Sequence, residues 1–339
     1  MKKAGINIME SKPFHDYDAA ISFVKKNPQY LVSKPSGDAN KALSYVAHDP
    51  ADLVYMLTRW KNNPQLSKAA KQEGFILQER KYGIEMAVGG FFGAHGFGQY
   101  FYENFEYKKL MADDLGVNTG EMGTLSRMTK RSKLAELVLL PMEEQLHKIG
   151  YVGYIDNNCI IDEYGTPWPM EFTMRDGWPT KHNVTAHVKN EDTAQWMLDL
   201  VNGEDTMECI DGEVCVSALI ALPDFPYSKI TNKELCGIPV RGADDMRHIH
   251  LSEVMLGTAP TMVGGKVVDQ MGLVTCGDYV MVVTGTGDTI SSARKDCYTA
   301  VKKVKIPNSM FYRPDIGAGR MKRQLPDLHK NGFAKGLEF

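Results

Sequence analysis

Two stretches carry residue types that could do chemistry together: Gly116-Val117-Asn118-Thr119-Gly120-Glu121-Met122-Gly123 and Glu171-Phe172-Thr173-Met174-Arg175-Asp176-Gly177. The first is turn-rich, with glycines around an Asn–Thr pair, so backbone N–H groups can close on an anion there. The second sets a carboxylate, a hydroxyl and a guanidinium at alternate positions of an apolar strand. Glu171, Thr173 and Arg175 are therefore expected on one face, a cation-holding group beside an anion-holding one. Such a face suits a metal–phosphate substrate. Taken alone, the first segment reads as a surface loop and the second as an edge strand.

Other candidates lie at strand ends. Tyr30–Lys34 reads as a strand ending in Lys34, before the turn Pro35-Ser36-Gly37-Asp38, where a compact ammonium can meet a nucleotide phosphate. Gly74–Glu79 is a strand ending in Gln78 and Glu79, groups able to bond an adenine edge. Asp156 and Asn158 alternate along a strand and, with Glu171, are oxygen donors of the hard kind that Mg²⁺ prefers; an ordinary polar strand face is the alternative. Val283–Thr289 is glycine-rich but lacks Gly-Lys-Ser/Thr and the third glycine of a dinucleotide fingerprint, so it reads as a strand-to-helix turn. The histidines form no His-x-x-x-His pair, and no Gly-x-Ser-x-Gly elbow occurs.

The elements that must position these groups follow from pattern. Asp16–Lys26 reads as an amphipathic helix, and Asp49 caps a second that begins at Pro50 and runs to about Trp60. Gly83–Val88 and Gly96–Tyr102 bracket a hairpin. Ser132–Ile149 reads as a helix kinked at Pro141. Ile160–Asp162 and Trp168–Met174 form a hairpin around Glu163-Tyr164-Gly165-Thr166. Glu213–Leu222, Met246–Leu251 and Tyr279–Thr284 are strands, and Thr289 caps a helix with Ile290, Ala293, Cys297, Ala300 and Val301 on one side.

The chain has 339 residues, 43% apolar and 24% charged, with formal charge −3, so two or three lobes are expected and nothing favours nucleic acid or an anionic membrane. Six scattered cysteines, without a Cys-x-x-Cys pair, argue against zinc or a disulfide framework and for a reducing cytoplasm. No window approaches 18 apolar residues and no signal peptide is read, so the expectation is a cytoplasmic protein.

In this order the residues resemble the phosphoribosylamine–glycine ligase family, ATP-grasp enzymes of purine biosynthesis. Ala4-Gly5-Ile6 is similar to the start of the ATP-clamping lobe, Leu31–Lys34 to its phosphate-lysine strand, and Ile76–Arg80 to its hinge. Gly83-Ile84-Glu85-Met86-Ala87 resembles Gly-Glu-Glu-Ala-Ser, and Lys108-Lys109 a Lys-Arg pair. Gly116–Gly123 resembles Gly-Pro-Asn-Thr-Gly-Gly-Met-Gly, the most specific match. Glu171-Phe172-Thr173 takes the place of Glu-Phe-Asn, and Tyr312–Gly317 resembles Arg-Arg-Asp-Ile-Gly.

The resemblance implies an α+β ATP-grasp fold: two α+β lobes clamping ATP, a lid lobe at 1–81 and a metal and substrate lobe at 82–208, then a small C-terminal α+β domain at 209–339. It implies ATP and Mg²⁺ (or Mn²⁺), with glycine and phosphoribosylamine or another amine as substrates. Lys34, Lys41, Gln78, Glu79 and Glu85 would hold nucleotide; Glu171, Thr173 and Asn158 the metal; Lys108, Asn118, Thr119, Gly120 and Arg175 the reacting groups. Two features depart from the family: the lid is shortened to Gly37-Asp38-Ala39-Asn40-Lys41, and a metal-binding Asn is replaced by Thr173. The family's first, Rossmann-like lobe has no counterpart ahead of Ala4 in this sequence, so a separate lobe of that kind is an expected partner. A ligase with a different amine acceptor, or a non-catalytic nucleotide-binding descendant, are the alternative readings.

Overall fold

The computed structural model describes residues 1–36, 44–227, 233–307 and 310–339. The chain divides into two compact units: Met1–Lys2, Asn7–Gly83 and Ile160–Met170 form one, and Lys3–Ile6, Ile84–Cys159 and Glu171–Phe339 the other. Gly37–Lys41, with the expected phosphate contact Lys41, lies outside the described residues.

The first unit is built on β1 (Ser11–Phe14), α1 (Tyr17–Lys26), β2 (Leu31–Pro35), β3 (Tyr45–Val46), α2 (Pro50–Lys61), α3 (Pro64–Glu73) and β4 (Phe75–Glu79). Its sheet runs β1-β4-β2-β3, with its three pairings antiparallel. Asp49 caps α2 as expected, its carboxylate accepting from Asp52 N–H at 2.8 Å, and Asp16 proves to be the cap of α1 rather than its first residue, accepting from Ala19 N–H at 2.9 Å. Ala20 and Val24 of α1, Leu53, Leu57 and Trp60 of α2, and Leu31, Phe75 and Leu77 of the sheet share one apolar core.

The second unit carries β5 (Ile84–Gly93), β6 (Gly96–Glu106), β7 (Lys109–Met111), β8 (Leu115–Asn118), β9 (Thr124–Thr129), α4 (Lys133–Val138), α5 (Glu143–Lys148), β10 (Gly153–Ile161), β11 (Pro167–Thr173), α6 (Thr180–His187) and α7 (Thr193–Asn202), the outer ends of β10 and β11 counting with the first unit. It continues through β12 (Val214–Ala221), β13 (Cys236–Pro239), β14 (Ile249–Leu251), β15 (Val254–Val263), β16 (Lys266–Cys276), β17 (Tyr279–Gly287), α8 (Ile290–Lys303) and α9 (Gly319–Lys330). The large sheet has the order β11-β10-β5-β6-β9-β12-β17-β14, so strands from before residue 208 and after 213 pair continuously through β9 and β12. Every residue of β12 is buried, because α6 packs on β9, β12 and β17 while α8 packs on β12 and β17. A strand covered on both faces reads as an unbroken apolar run.

Three local outcomes refine the sequence reading. The helix expected over Ser132–Ile149 breaks at Pro141 into α4, a 3₁₀ turn at Leu140–Met142, and α5, because proline lacks the N–H the interior needs. The strand expected over Met246–Leu251 is confined to β14. The hairpin β15–β16, which the pattern reading passes over, turns at Gly264 and Gly265 with φ of +56° and +78°. Paired left-handed glycines are the signature of a two-residue hairpin turn.

Val283–Thr289 is the strand-to-helix turn its spacing predicts. β17 runs to Gly287, and the Thr289 hydroxyl accepts from Ser292 N–H at 3.2 Å at the start of α8. Gly285 lets α8 lie directly on the strand: a Cβ there would collide with the backbone of Cys297 and stand 2.8 Å from the Ala293 carbonyl oxygen. Gly285→Ala should therefore destabilise the second unit by about 1–3 kcal/mol or more. Gly120→Ala, whose Cβ meets nothing within 4 Å, should cost far less. Denaturant unfolding of both variants checks this, and equal losses would contradict it.

Candidate active site

The densest polar assembly of the second unit lies where β5, β6 and β10 run side by side. Asn158 of β10 donates from Nδ2 to Glu85 Oε1 at 2.9 Å and to Glu106 Oε2 at 3.0 Å. Lys108, just past β6, pairs with Glu106 at 3.0 Å and also with Glu85. Burial works against the Lys108 charge, but Glu106 and Glu85 outweigh it and hold the ammonium protonated. Burial likewise opposes the Glu85 charge, and Lys108 and Asn158 more than offset it, so its pKa falls. The alternation of Asp156 and Asn158 holds, and both are buried. Asp156 accepts from Tyr154 Oη at 3.1 Å and from Asn104 Nδ2 at 3.2 Å. Burial, then the Glu106 charge, pushes its pKa up to about 7.

The Gly116–Gly123 segment is tethered to the same lysine. β7 and β8 pair Lys109 with Asn118, and both the N–H and the hydroxyl of Thr119 donate to the Lys108 carbonyl, at 2.7 and 2.8 Å. Gly123, at φ +152°, turns the chain into β9 where any Cβ would strike the Ser217 carbonyl. Glu121 is drawn inward, 3% exposed, and accepts from Thr180 Oγ1 at 3.2 Å. Burial, then Glu106, raises its pKa well above the usual carboxylate range.

The Tyr312–Gly317 segment braces this assembly from behind. Arg313, 1% exposed, bonds Asp315 at 2.6 Å, Asp114 at 3.0 Å and the Lys109 carbonyl at 2.9 Å. The Tyr107 hydroxyl accepts from Gly317 N–H at 2.8 Å. Arg320 lies 3.7 Å from the Tyr107 ring centroid and donates to the Glu106 carbonyl at 2.7 Å. Sequence reasoning left Glu106, Arg313 and Arg320 without a role; the two-residue spacing of Glu106 and Lys108 was the signal available for the first.

Other expected site residues stand apart. β11 ends at Thr173, so the strand alternation does not carry on to Arg175, which is exposed and donates to the neighbouring Asp176 carbonyl at 3.0 Å. Glu171 is exposed and Thr173 half-buried on β11, next to β10 in the sheet. Among the described residues no three His, Cys, Asp or Glu groups gather as a metal site. In the first unit Lys34 pairs in register with Ile76, Gln78 is buried within the sheet, and Glu79 lines a cleft of about 1020 Å³. Tyr30, Leu77, Arg80, Tyr82 and Trp168 also face that cleft. Arg80 lies 4.5 Å from the Tyr82 ring and Lys81 3.8 Å from that of Trp168, flat apolar faces rimmed by charge.

A helix-backed antiparallel sheet, joined in sequence to a larger sheet bearing carboxylates, a lysine and amides, defines an ATP-grasp protein. Phosphoribosylamine–glycine ligase from Thermotoga maritima has this fold, with a TM-score of 0.66 at 22% identity over 93% of this chain and 76% of that one. Phosphoribosylglycinamide synthetase from Anaerococcus prevotii superposes with a TM-score of 0.52 at 10% identity, over 91% of this chain and 72% of that one. Residues 1–180 match the family described as phosphoribosylglycinamide synthetase, ATP-grasp (A) domain, and residues 215–319 match the C domain of the same synthetase. The chain belongs to the phosphoribosylglycinamide synthetase family. It is 27% identical over 227 residues to the phosphoribosylamine–glycine ligase of Ralstonia nicotianae, covering 64% of this chain and 50% of that protein. The Salmonella typhimurium enzyme is 26% identical over 229 residues, 65% and 50%. The chain thus spans about half the length of the curated relatives it matches.

α6, which brings Thr180 to Glu121, is flanked by neutral histidines. His182 and His250 stack with centroids 4.5 Å apart. Burial, then the neighbouring basic groups (His250 and Lys181 for the first, His248 for the second), lowers each pKa to about 4. A depressed pKa means that, as pH falls below 6.5, the unfolded chain takes up protons that the folded chain refuses, so stability is lost on acidification. The double variant His182→Gln, His250→Gln should lose less stability than the parent between pH 7.5 and 5, by on the order of 2 kcal/mol. Urea unfolding at the two pH values measures it, and parallel losses would contradict it.

Proposed function

We propose that the chain is an ATP-dependent carboxylate–amine ligase of purine biosynthesis, which activates the carboxylate of glycine as an acyl phosphate and transfers it to phosphoribosylamine. The observation that carries this reading is the Lys108 assembly: a loop of the family's anion-binding type tied by Thr119 to a lysine that two carboxylates hold charged. Family membership supports the same chemistry. Lys34, with Lys41, steadies the phosphates as point charges; Gln78 and Glu79 meet the adenine edge, and Glu85 the ribose. Lys108, Asn118, Thr119, Gly120 and Arg175 orient the carboxylate being activated and spread the charge that develops as the phosphoryl group moves.

The donor set fits Mg²⁺ or Mn²⁺: Glu171 is an exposed carboxylate, Asn158 has a buried carbonyl oxygen without a donor among the described residues, and Thr173 adds a hydroxyl. When bound, the ion would neutralise charge on the phosphates. The reading takes 1–81 as nucleotide lid, 82–208 as metal and substrate lobe and 209–339 as a bracing domain. It gives the ribose phosphate to a Rossmann-like lobe, in this or another chain, and the setting is cytoplasmic.

Lys34→Ala and Glu171→Ala should each weaken MgATP binding by about ten- to a hundredfold, the loss of one charge-assisted contact of about 1.5–3 kcal/mol. Calorimetric titration decides it, and unchanged affinity in both variants would contradict the site. Thr173→Asn, which restores the family's carbonyl oxygen, should raise turnover or lower the Mg²⁺ requirement. A loss of turnover in that variant would count against Thr173 as a ligand.

A further inference from the structure

Hydrogen-bond donors and acceptors around Lys108 do not balance. Asn158 gives its amide N–H groups to Glu85 and Glu106, and Asn104 gives one of its own to Asp156. The carboxylates thereby fix both amide orientations, and each Oδ1 is left as an acceptor. Neither Oδ1, nor Glu121 Oε1, has a donor among the described residues. Asn104, Asn158 and Glu121 are 1%, 6% and 3% exposed, and a buried acceptor left unmet costs about 1–3 kcal/mol. The Asn158 oxygen is the one assigned above to the metal; the Asn104 amide oxygen and an ionised Glu121 lack an N–H or O–H donor.

Charge points the same way. Lys108 is committed to Glu85 and Glu106, which leaves Glu121 as a further acidic group within reach of the Glu106 charge and repelled by it. A positive group entering here would relieve that repulsion. The assembly is open at one end, where the Glu85 and Lys108 side chains are 37% and 35% exposed.

We propose that Glu121, at a position where the family's loop pattern has glycine, receives the ammonium group of the amino-acid substrate, with Thr180 holding its second oxygen in place. An α-ammonium is compact, carries three donors and one positive charge, and so answers both the oxygen surplus and the charge surplus. Glu121 then selects for an amino acid over a carboxylate of the same shape that lacks the amine. The proposal rests on the ligase reading above for the identity of the substrate.

Calorimetry on the full chain tests it with three probes: glycine, glycinamide (the ammonium without the carboxylate) and glycolate (the carboxylate without the ammonium). Glu121→Gln keeps size and shape and should weaken glycine and glycinamide at least tenfold while leaving glycolate unchanged. Thr180→Val, which frees Glu121 without removing it, should weaken the same two probes to a smaller extent, and it decides the matter if Glu121→Gln does not fold. Undiminished glycinamide binding in the variants, an equal loss for glycolate, or no glycinamide binding by the parent chain would overturn the proposal. MgATP titrated into the same proteins separates the two ideas. A parent chain that ignores MgATP sinks the ligase reading, whereas the glycinamide comparison still judges Glu121.

Discussion

Lys108 holds two carboxylates that would otherwise repel one another, and much of the second unit is arranged to keep it there. Glu85 comes from β5, Glu106 from the end of β6, and Asn158 from β10 completes the contact by donating to both acids. Removing the ammonium would leave the two carboxylates facing one another with only the Asn158 amide between them, in a site that is partly open to solvent. The loop after β8 bonds to the Lys108 carbonyl, Arg313 to that of Lys109 and Arg320 to that of Glu106. Segments separated by some 200 residues in sequence thus converge on four consecutive residues, Glu106 to Lys109.

The two units carry different chemistry. The first offers a cleft with aromatic walls and a charged rim, suited to a flat base, at the end of the strand that carries Glu79. The second offers a dense field of carboxylate, ammonium and amide on a sheet stiffened by helices on both faces. Rigid strands hold the charged groups, and the loop that meets them is pinned by backbone bonds together with the Thr119 hydroxyl and the Glu121 carboxylate. Such preorganisation lets electrostatic groups act without rearranging as charge develops.

Much of this was legible in the sequence where local rules govern. The caps at Asp49 and Thr289 place their helices, the glycines of Gly116–Gly123 mark the loop, and the alternation of Asp156 and Asn158 predicts a shared strand face. The reading failed where tertiary context decides. Nothing local says that β11 stops at Thr173 and strands Arg175 beyond it, or that the fully buried β12 joins strands on either side of residue 208. Glu121 looks like one more polar loop residue until Gly123 turns the chain and carries it beneath Thr180. Arg313 and Arg320 act only through partners some 200 residues away, which no spacing reveals.

The central claim is that this chain activates a carboxylate by phosphoryl transfer, and the fate of that carboxylate's oxygen tests it most directly. Glycine labelled with ¹⁸O in both carboxyl oxygens would be incubated with the chain, MgATP and phosphoribosylamine, and the released phosphate analysed by mass spectrometry. The account predicts one ¹⁸O in each phosphate formed in a glycine-dependent manner, because the bridging oxygen of an acyl phosphate leaves with phosphorus. Phosphate carrying only unlabelled oxygen, or phosphate release indifferent to glycine, would contradict it.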